Sequence, residues 1–205
     1  MMTPQQSEYE LDYWRKTDRA KNDARQLKIL NLWGFTGADS VLEVGTGPWG
    51  GCLPFVEANR KIGTDPLYME YAEAKLTPYP AGFQMFALDV AILPEVHGAL
   101  VNLSDEQRVT QVNAVLCMNT LDHGDSDFRS IDAIARLLKP GGRFYLHVNL
   151  RTPEQLNEGH DHALSLEDLQ AVIERNGLRE IKCDVYDHDP VEWAPYKTVI
   201  GIWER

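Results

Sequence analysis

From Ser40 onward, short apolar runs alternate with stretches of helical period, and this alternation constrains the chain more than any other feature. The runs are Ser40–Val44, Lys61–Thr64, Gln84–Leu88, Asn113–Met118, Arg143–Asn149, Ile181–Tyr186 and Thr198–Trp203. Helical segments are expected near Gly50–Asn59, Leu67–Lys75, Asp127–Leu138 and Leu166–Asn176. The last follows Ser165 with Asp168 three residues on, a pair that satisfies the free amides of a helix start. Parallel strands need crossovers and both faces of their sheet must be covered, so this order predicts an α/β fold, a parallel sheet with helices on both faces. Ligands of such sheets bind beyond the carboxyl ends of the strands. Functional residues are therefore sought directly after each strand. Ahead of this region, Glu8 to Trp33 contains no proline or glycine and places Leu27, Leu30 and Trp33 on one stripe. It reads as one long helix or two short ones, ended by Gly34.

The first run leads into Gly45-Thr46-Gly47-Pro48-Trp49-Gly50, a G-x-G-x-x-G. Glycines there let the backbone turn tightly and approach a ligand, and a following helix would offer free N–H groups. The spacing alone fits the pyrophosphate of NAD or FAD. Glu43, two residues ahead of the first glycine, would repel a pyrophosphate and attract a ligand carrying an ammonium and a sulfonium. Asp65 ends the second run, 22 residues beyond Glu43, where an acid accepts hydrogen bonds from ribose hydroxyls. NAD enzymes share that acid.

At 205 residues the chain is long enough for one sizeable core. Its formal charge of −11, from 31 acids against 20 bases, disfavours nucleic acid and anionic lipid as partners. No apolar run approaches the roughly 18 residues that span a bilayer, and the amino terminus carries no targeting pattern. The three cysteines, Cys52, Cys117 and Cys183, are scattered and read as free thiols of a reducing compartment, which predicts a cytoplasmic protein. Cys117 lies in an apolar run and reads as a core residue.

Taken together, Glu43-Val44-Gly45-Thr46-Gly47-Pro48-Trp49-Gly50, Gly63-Thr64-Asp65, Leu88-Asp89-Val90, Leu121-Asp122-His123 and Leu137-Leu138-Lys139-Pro140-Gly141-Gly142 form an ordered set. In that order they resemble the motifs of the class I S-adenosylmethionine-dependent methyltransferases, over roughly residues 38–204. The resemblance implies a Rossmann-like, seven-stranded, mostly parallel sheet whose last strand is antiparallel. It implies S-adenosyl-L-methionine as cofactor, bound by Glu43, Gly45, Thr46, Gly47, Asp65, Pro66, Asp89, Val90, Met118 and Asn119. Residues 1–35 would form an N-terminal helical cap on a methyltransferase domain spanning 36–205. The expected reaction is methyl transfer to an O or N atom of a small-molecule acceptor. The rivals are a binding module that does not methylate and an NAD-dependent oxidoreductase. Two departures stand out: the third glycine falls one place late, and about twenty residues, 91–112, intervene before the fourth strand, where Asn113 replaces an aspartate.

Methyl transfer can run largely on alignment of nucleophile, methyl and sulfur, so a base is optional. His123, just after the fourth strand, is the leading base, with bracing of a loop by Asp122-His123 as the structural alternative. His147 lies inside the fifth run and reads as a packed histidine. Tyr13 and Trp14, with Tyr9, are candidates for an acceptor wall, as are His162 and Trp193. His160 and His162 could offer imidazoles to a metal completed by Asp122 or Asp125, but closed sites need three or four ligands and no metal is assigned. Oligomeric state is not legible.

Overall fold

The computed structural model describes residues 3–76, 82–93, 111–123, 128–160, 162–192 and 194–205. The 91–112 insert falls mostly outside these residues, as do Asp125, Asp161 and Trp193. Two helices, α1 (Pro4–Lys16) and α2 (Arg19–Trp33), precede the strands β1 (Ser40–Val44), β2 (Arg60–Thr64), β3 (Gln84–Phe86), β4 (Val112–Met118), β5 (Leu138–Leu150), β6 (Arg179–Tyr186) and β7 (Lys197–Glu204). Between strands lie α3 (Tyr68–Glu73), α4 (Arg129–Leu137) and α5 (Leu166–Arg175). The sheet order is β3-β2-β1-β4-β5-β7-β6. β1 to β5 pair in parallel, and β7 runs antiparallel between β5 and β6. This is the seven-stranded, mostly parallel sheet that the sequence implied.

Strand side chains alternate between faces, so a sheet covered on both sides needs apolar residues at consecutive positions. In β1, Val41 packs with α2 residues Ile29, Leu30 and Trp33, whereas Leu42 and Val44 pack in the core beneath α4 and α5. β4 divides the same way, Ala114 and Leu116 to one face, Val115 and Cys117 to the other. Burial pushes the Cys117 thiol far up, as a packed core cysteine requires. Trp33 crosses onto the sheet and donates its indole N–H to the Leu146 carbonyl at 3.1 Å.

Three local features settle or change the sequence reading. Of the two alternatives for the amino terminus, two helices form: Thr17 closes α1, and the Asp18 side chain accepts the Lys21 amide at 3.0 Å to start α2. The helix expected near Gly50–Asn59 is replaced by turns and a short 3-10 turn over Leu53–Phe55. Gly50 (φ 84°) and Gly51 (φ 57°) are both left-handed, which no α-helix accommodates. The Lys139-Pro140-Gly141-Gly142 segment lies within β5, where Gly141 donates its amide to the carbonyl of Arg205 at 2.8 Å. No described helix is long and apolar enough to cross a membrane.

Because Trp33 fills the α2 face of the core and satisfies its indole inside it, Trp33→Ala should cost about 3–5 kcal/mol. Urea denaturation followed by circular dichroism measures this, and a loss below about 1 kcal/mol would mean that α2 does not anchor the sheet.

Candidate active site

One cavity of about 290 Å³ opens at the carboxyl ends of β1, β2 and β4 and runs beneath α1. Glu43, Gly45, Thr46, Gly47, Asp65, Pro66, Asp89, Val90, Met118 and Asn119 all line it, as do Tyr13, Trp14 and His123. The sheet topology brings them together: β1 lies between β2 and β4, so three chain segments end side by side. His162 is not among the lining residues, and His160 lines the cavity instead.

Glu43 answers to its own chain. Its carboxyl, 1% exposed, accepts the Cys52 amide at 2.8 and 2.9 Å and the Leu53 amide at 3.1 Å. Gly51 is packed so closely on this carboxyl that any side chain there would collide with it. Because no α-helix follows the glycine turn, Glu43 gathers these amides, that of Leu53 also reaching the Gly50 carbonyl at 3.1 Å. Burial drives its pKa up to about 8, against the lowering effect of the Cys52 and Leu53 amides. A carboxyl in this state is largely protonated at neutral pH. Its visible work is to hold the turn, and attraction of a cationic ligand remains an expectation of the sequence. Cys52, buried against it and donating from Sγ to Gln26 Oε1 at 2.9 Å, keeps its thiol proton.

Asp65 couples the two first strands. Oδ2 accepts the Gly47 amide at 2.8 Å and Oδ1 accepts the Leu67 amide at 2.9 Å. Each oxygen keeps a second lone pair for a hydroxyl donor. Burial raises its pKa to about 6, opposed by the two amides, so it is mostly ionised at pH 7. Asp89 caps the short turn Val90–Ile92 through the Ala91 amide at 2.8 Å. Asn119, directly after β4, adopts φ 49°, a costly conformation for a residue with a side chain. Its amide donates to the His147 carbonyl at 2.7 Å, and its buried Oδ1 has no hydrogen-bond partner among the described residues. His147 itself is fully buried and pairs with Asp189 at 3.3 Å.

Helix α1 forms the roof. Trp14, expected at the acceptor wall, lies against the glycine turn: a Cβ on Gly47 (φ 60°) would meet its ring at 2.6 Å. The ring also makes edge contacts with Trp49 and Tyr71, at 5.2 and 6.4 Å between centroids. Tyr13 sits at the rim, its hydroxyl accepting Arg25 Nη1 at 3.1 Å, and Arg25 pairs with Glu192. Tyr9 packs on Gly159.

At the other end, Asp122 is buried beside Arg151, His123 and His160. Its Oδ2 accepts Arg151 Nε at 3.1 Å and lies 3.3 Å from His160 Nε2. Burial alone would raise its pKa, but His123, His160 and Arg151 more than offset that and hold it below the ordinary carboxylate value. His123 places Nδ1 2.9 Å from the Gly159 carbonyl and 3.4 Å from Glu10 Oε1, while Nε2 faces Asp122 Oδ1 at 3.8 Å. Both ring nitrogens are thus turned on protein groups, a geometry that braces α1, the end of β4 and the 157–160 turn. Burial raises the pKa of Glu10, with His123 opposing. Arg151 stacks on Tyr196, 4.1 Å from the ring centroid. Glu10 and Arg151 carry no sequence motif. Arg151 was findable only as the residue directly after β5, two places beyond the fifth apolar run.

No protein-family profile matches the sequence, and no curated protein matches it. Solved structures do match. The N-methyltransferase NodS from Bradyrhizobium japonicum WM9, in complex with S-adenosyl-L-homocysteine, aligns with a TM-score of 0.63 at 17% identity, over 98% of this chain and 97% of that one. Burkholderia thailandensis 1,6-didemethyltoxoflavin-N1-methyltransferase, with bound 1,6-didemethyltoxoflavin and S-adenosylhomocysteine, aligns at 0.61 and 16% identity, over 98% and 86%. A TehB-like SAM-dependent methyltransferase from Corynebacterium glutamicum aligns at 0.58 and 18%, over 98% of each chain. The chain has the fold of these methyltransferases.

Glu43 sets a pH dependence whose sign follows from its raised pKa. The folded protein holds a proton that the unfolded chain, with the ordinary value of 4.5, has released. Stability is therefore greatest at low pH on this account and falls as pH rises from about 4.5 to about 8. Asp65 adds the same sign between 3.8 and about 6. Glu43→Gln, which keeps the shape without the ionisation, should flatten the fall between pH 6 and 8, the window about which denaturation midpoints decide. Equal slopes in both proteins would show that Glu43 ionises in the fold as it does in the unfolded chain.

Proposed function

We propose that this chain transfers a methyl group from S-adenosyl-L-methionine to an O or N atom of a small-molecule acceptor. The observation that carries the reading is the single cavity in which all ten expected cofactor residues meet, continuing under α1 to a polar end formed by His123, Asn149, Arg151, His160 and Tyr196. The fold likeness to methyltransferases supports it as well.

In this reading the turn over Gly45, Thr46 and Gly47, held by Glu43, meets the methionine part of the cofactor. Asp65 takes the ribose hydroxyls, Pro66 and Val90 flank the adenine, and Asp89 receives its amine. Met118 and Asn119 line the floor, with the unpartnered Asn119 Oδ1 available to a donor of the ligand. Trp14 covers the glycine turn from above. The sulfonium methyl then points toward the polar end, where the acceptor lies.

Displacement at the methyl carbon needs nucleophile, carbon and sulfur in line, and a roofed cavity supplies most of the acceleration by alignment and exclusion of water. The C–S bonding electrons stay on sulfur, giving S-adenosylhomocysteine, a lone pair of the acceptor atom forms the new bond to the methyl carbon, and the acceptor's proton passes to solvent. His123 positions the acceptor end from within its bracing contacts. The cavity volume, near the lower end of the roughly 300–1,000 Å³ typical of ligand pockets, suits a small acceptor beside the cofactor. The excess of acidic residues disfavours a nucleic acid in that role.

S-adenosylhomocysteine should raise the melting temperature of the protein, and NADH should not. Asp65→Asn, which removes the charge and leaves an oxygen for only one of the two amides that Asp65 accepts, should cost about 1.5–3 kcal/mol, roughly 10-fold or more in affinity by calorimetry. Unchanged affinity would remove Asp65 from the cofactor site, and absence of any S-adenosylhomocysteine binding would reject the reading. Screening small hydroxyl and amine compounds for release of S-adenosylhomocysteine then identifies the acceptor.

The roof makes a separate expectation. Trp14→Ala should weaken S-adenosylhomocysteine binding several-fold, because its ring covers Gly47. A variant that binds cofactor normally but loses turnover would return Trp14 to the acceptor wall.

A further inference from the structure

We propose that Asp122, His123 and His160 bind a divalent first-row transition-metal ion at the polar end of the cavity. One carboxylate oxygen and one ring nitrogen from each histidine lie within 4.8 Å of one another. The inference stands on the donor geometry and does not depend on methyl transfer.

The hydrogen bonds assign the tautomers. His123 Nδ1 lies 2.9 Å from the Gly159 carbonyl, which only accepts, so Nδ1 carries the proton. Asn157 Oδ1 accepts the Gly159 amide at 3.0 Å, which fixes that amide's orientation, and His160 Nδ1, 3.0 Å away, must donate to the same oxygen. Arg151 Nη2 sits 2.9 Å from His160 Nε2, and a guanidinium only donates. His160 therefore keeps an Nε2 lone pair turned toward Arg151 and Asp122, and His123 presents its Nε2 to Asp122 Oδ1 at 3.8 Å. A nitrogen lone pair beside a carboxylate is repelled unless a cation lies between them.

Arg151 answers half of this demand. It serves His160 Nε2 and Asp122 Oδ2, while Asp122 Oδ1, fully buried, has no hydrogen-bond partner among the described residues and faces His123 Nε2 at 3.8 Å. An ion on Oδ1 and the two Nε2 atoms fills the other half. Arg151 then gives up its bond to His160 and keeps Asp122 Oδ2 and the Tyr196 face. With metal–nitrogen bonds of about 2.0–2.1 Å, the three donors close on an ion by moving less than about 1 Å. Each histidine already has the outer partner that such ligands use: Gly159 and Glu10 for His123, Asn157 for His160.

Two imidazoles and one carboxylate suit zinc, cobalt, manganese or iron(II) and not the all-oxygen preference of magnesium or calcium. The positions left open on such an ion face the cavity, where an acceptor hydroxyl would be made more acidic and lose its proton to water more readily.

The test is a Co²⁺ titration of the chelator-treated full chain, read by ligand-field absorption, with S-adenosylhomocysteine binding measured on the same samples. One saturable Co²⁺ site is expected. His160→Ala and His123→Ala should each weaken it at least about tenfold, whereas His162→Ala, outside the cavity, should leave it intact. Should His160→Ala fail to fold, His160→Gln takes its place, since it keeps volume without an imidazole. Absence of saturable binding in the wild type, wild-type affinity in the folded His160 variant, or loss in His162→Ala overturns the proposal. S-adenosylhomocysteine binding reports on the methyltransferase reading independently, so either can fail alone.

Discussion

The glycine turn hangs on one buried carboxyl. Glu43 ends β1 in the middle of the sheet and takes the amides of Cys52 and Leu53, which lie in turns where related logic would place a helix. A helix start satisfies its first amides by position and offers the spare ones to a ligand. Here two left-handed glycines forbid the helix, and a side chain collects the amides in its stead. The cost is a group that prefers its proton, because a lone anion in that position would be stripped of water. The turn, the neighbouring Asp65 and the contact with Trp14 all take their places from this anchor.

The opposite end of the cavity is organised around a second buried acid under a different regime. Asp122 is surrounded by Arg151, His123 and His160, so its charge is favoured where that of Glu43 is not. Two carboxyls, both 1% exposed, thus sit in contrasting states, Glu43 lining the cavity and Asp122 behind its polar end. The contrast comes from their neighbours: amides of the chain's own turn around Glu43, Arg151 and two imidazoles around Asp122.

Much of this was legible from residue order. The central strands were visible as apolar runs because the sheet is buried on both faces there, the largely exposed edge strand β6 was not so constrained, and the acids at strand ends fell where the topology gathers them. What failed to show is instructive. The helix after the glycine turn was inferred from motif context, yet Gly50 and Gly51 together already argued against it. The choice between one amino-terminal helix and two rested on Thr17-Asp18, a cap signal without glycine or proline. His160 and His162 are indistinguishable by spacing; only the turn at Asn157 decides which one enters the cavity. Glu10 and Trp14 reach the site from a helix far away in sequence, and Arg151 is recognisable only once Asp122 is seen to need a partner.

Helix α1 touches both ends of the cavity: Trp14 rests on the glycine turn, while Glu10 and Tyr9 rest on His123 and Gly159. It joins the body through the short break at Thr17-Asp18, a natural hinge. The roof cannot lift from one compartment without loosening the other. For the proposed methyl transfer, cofactor and acceptor would lie under one roof held at both ends by the same helix, so that opening of α1 would serve both. Were that opening slower than bond making, it would set the ceiling on turnover, and solvent viscosity would become a variable of the rate.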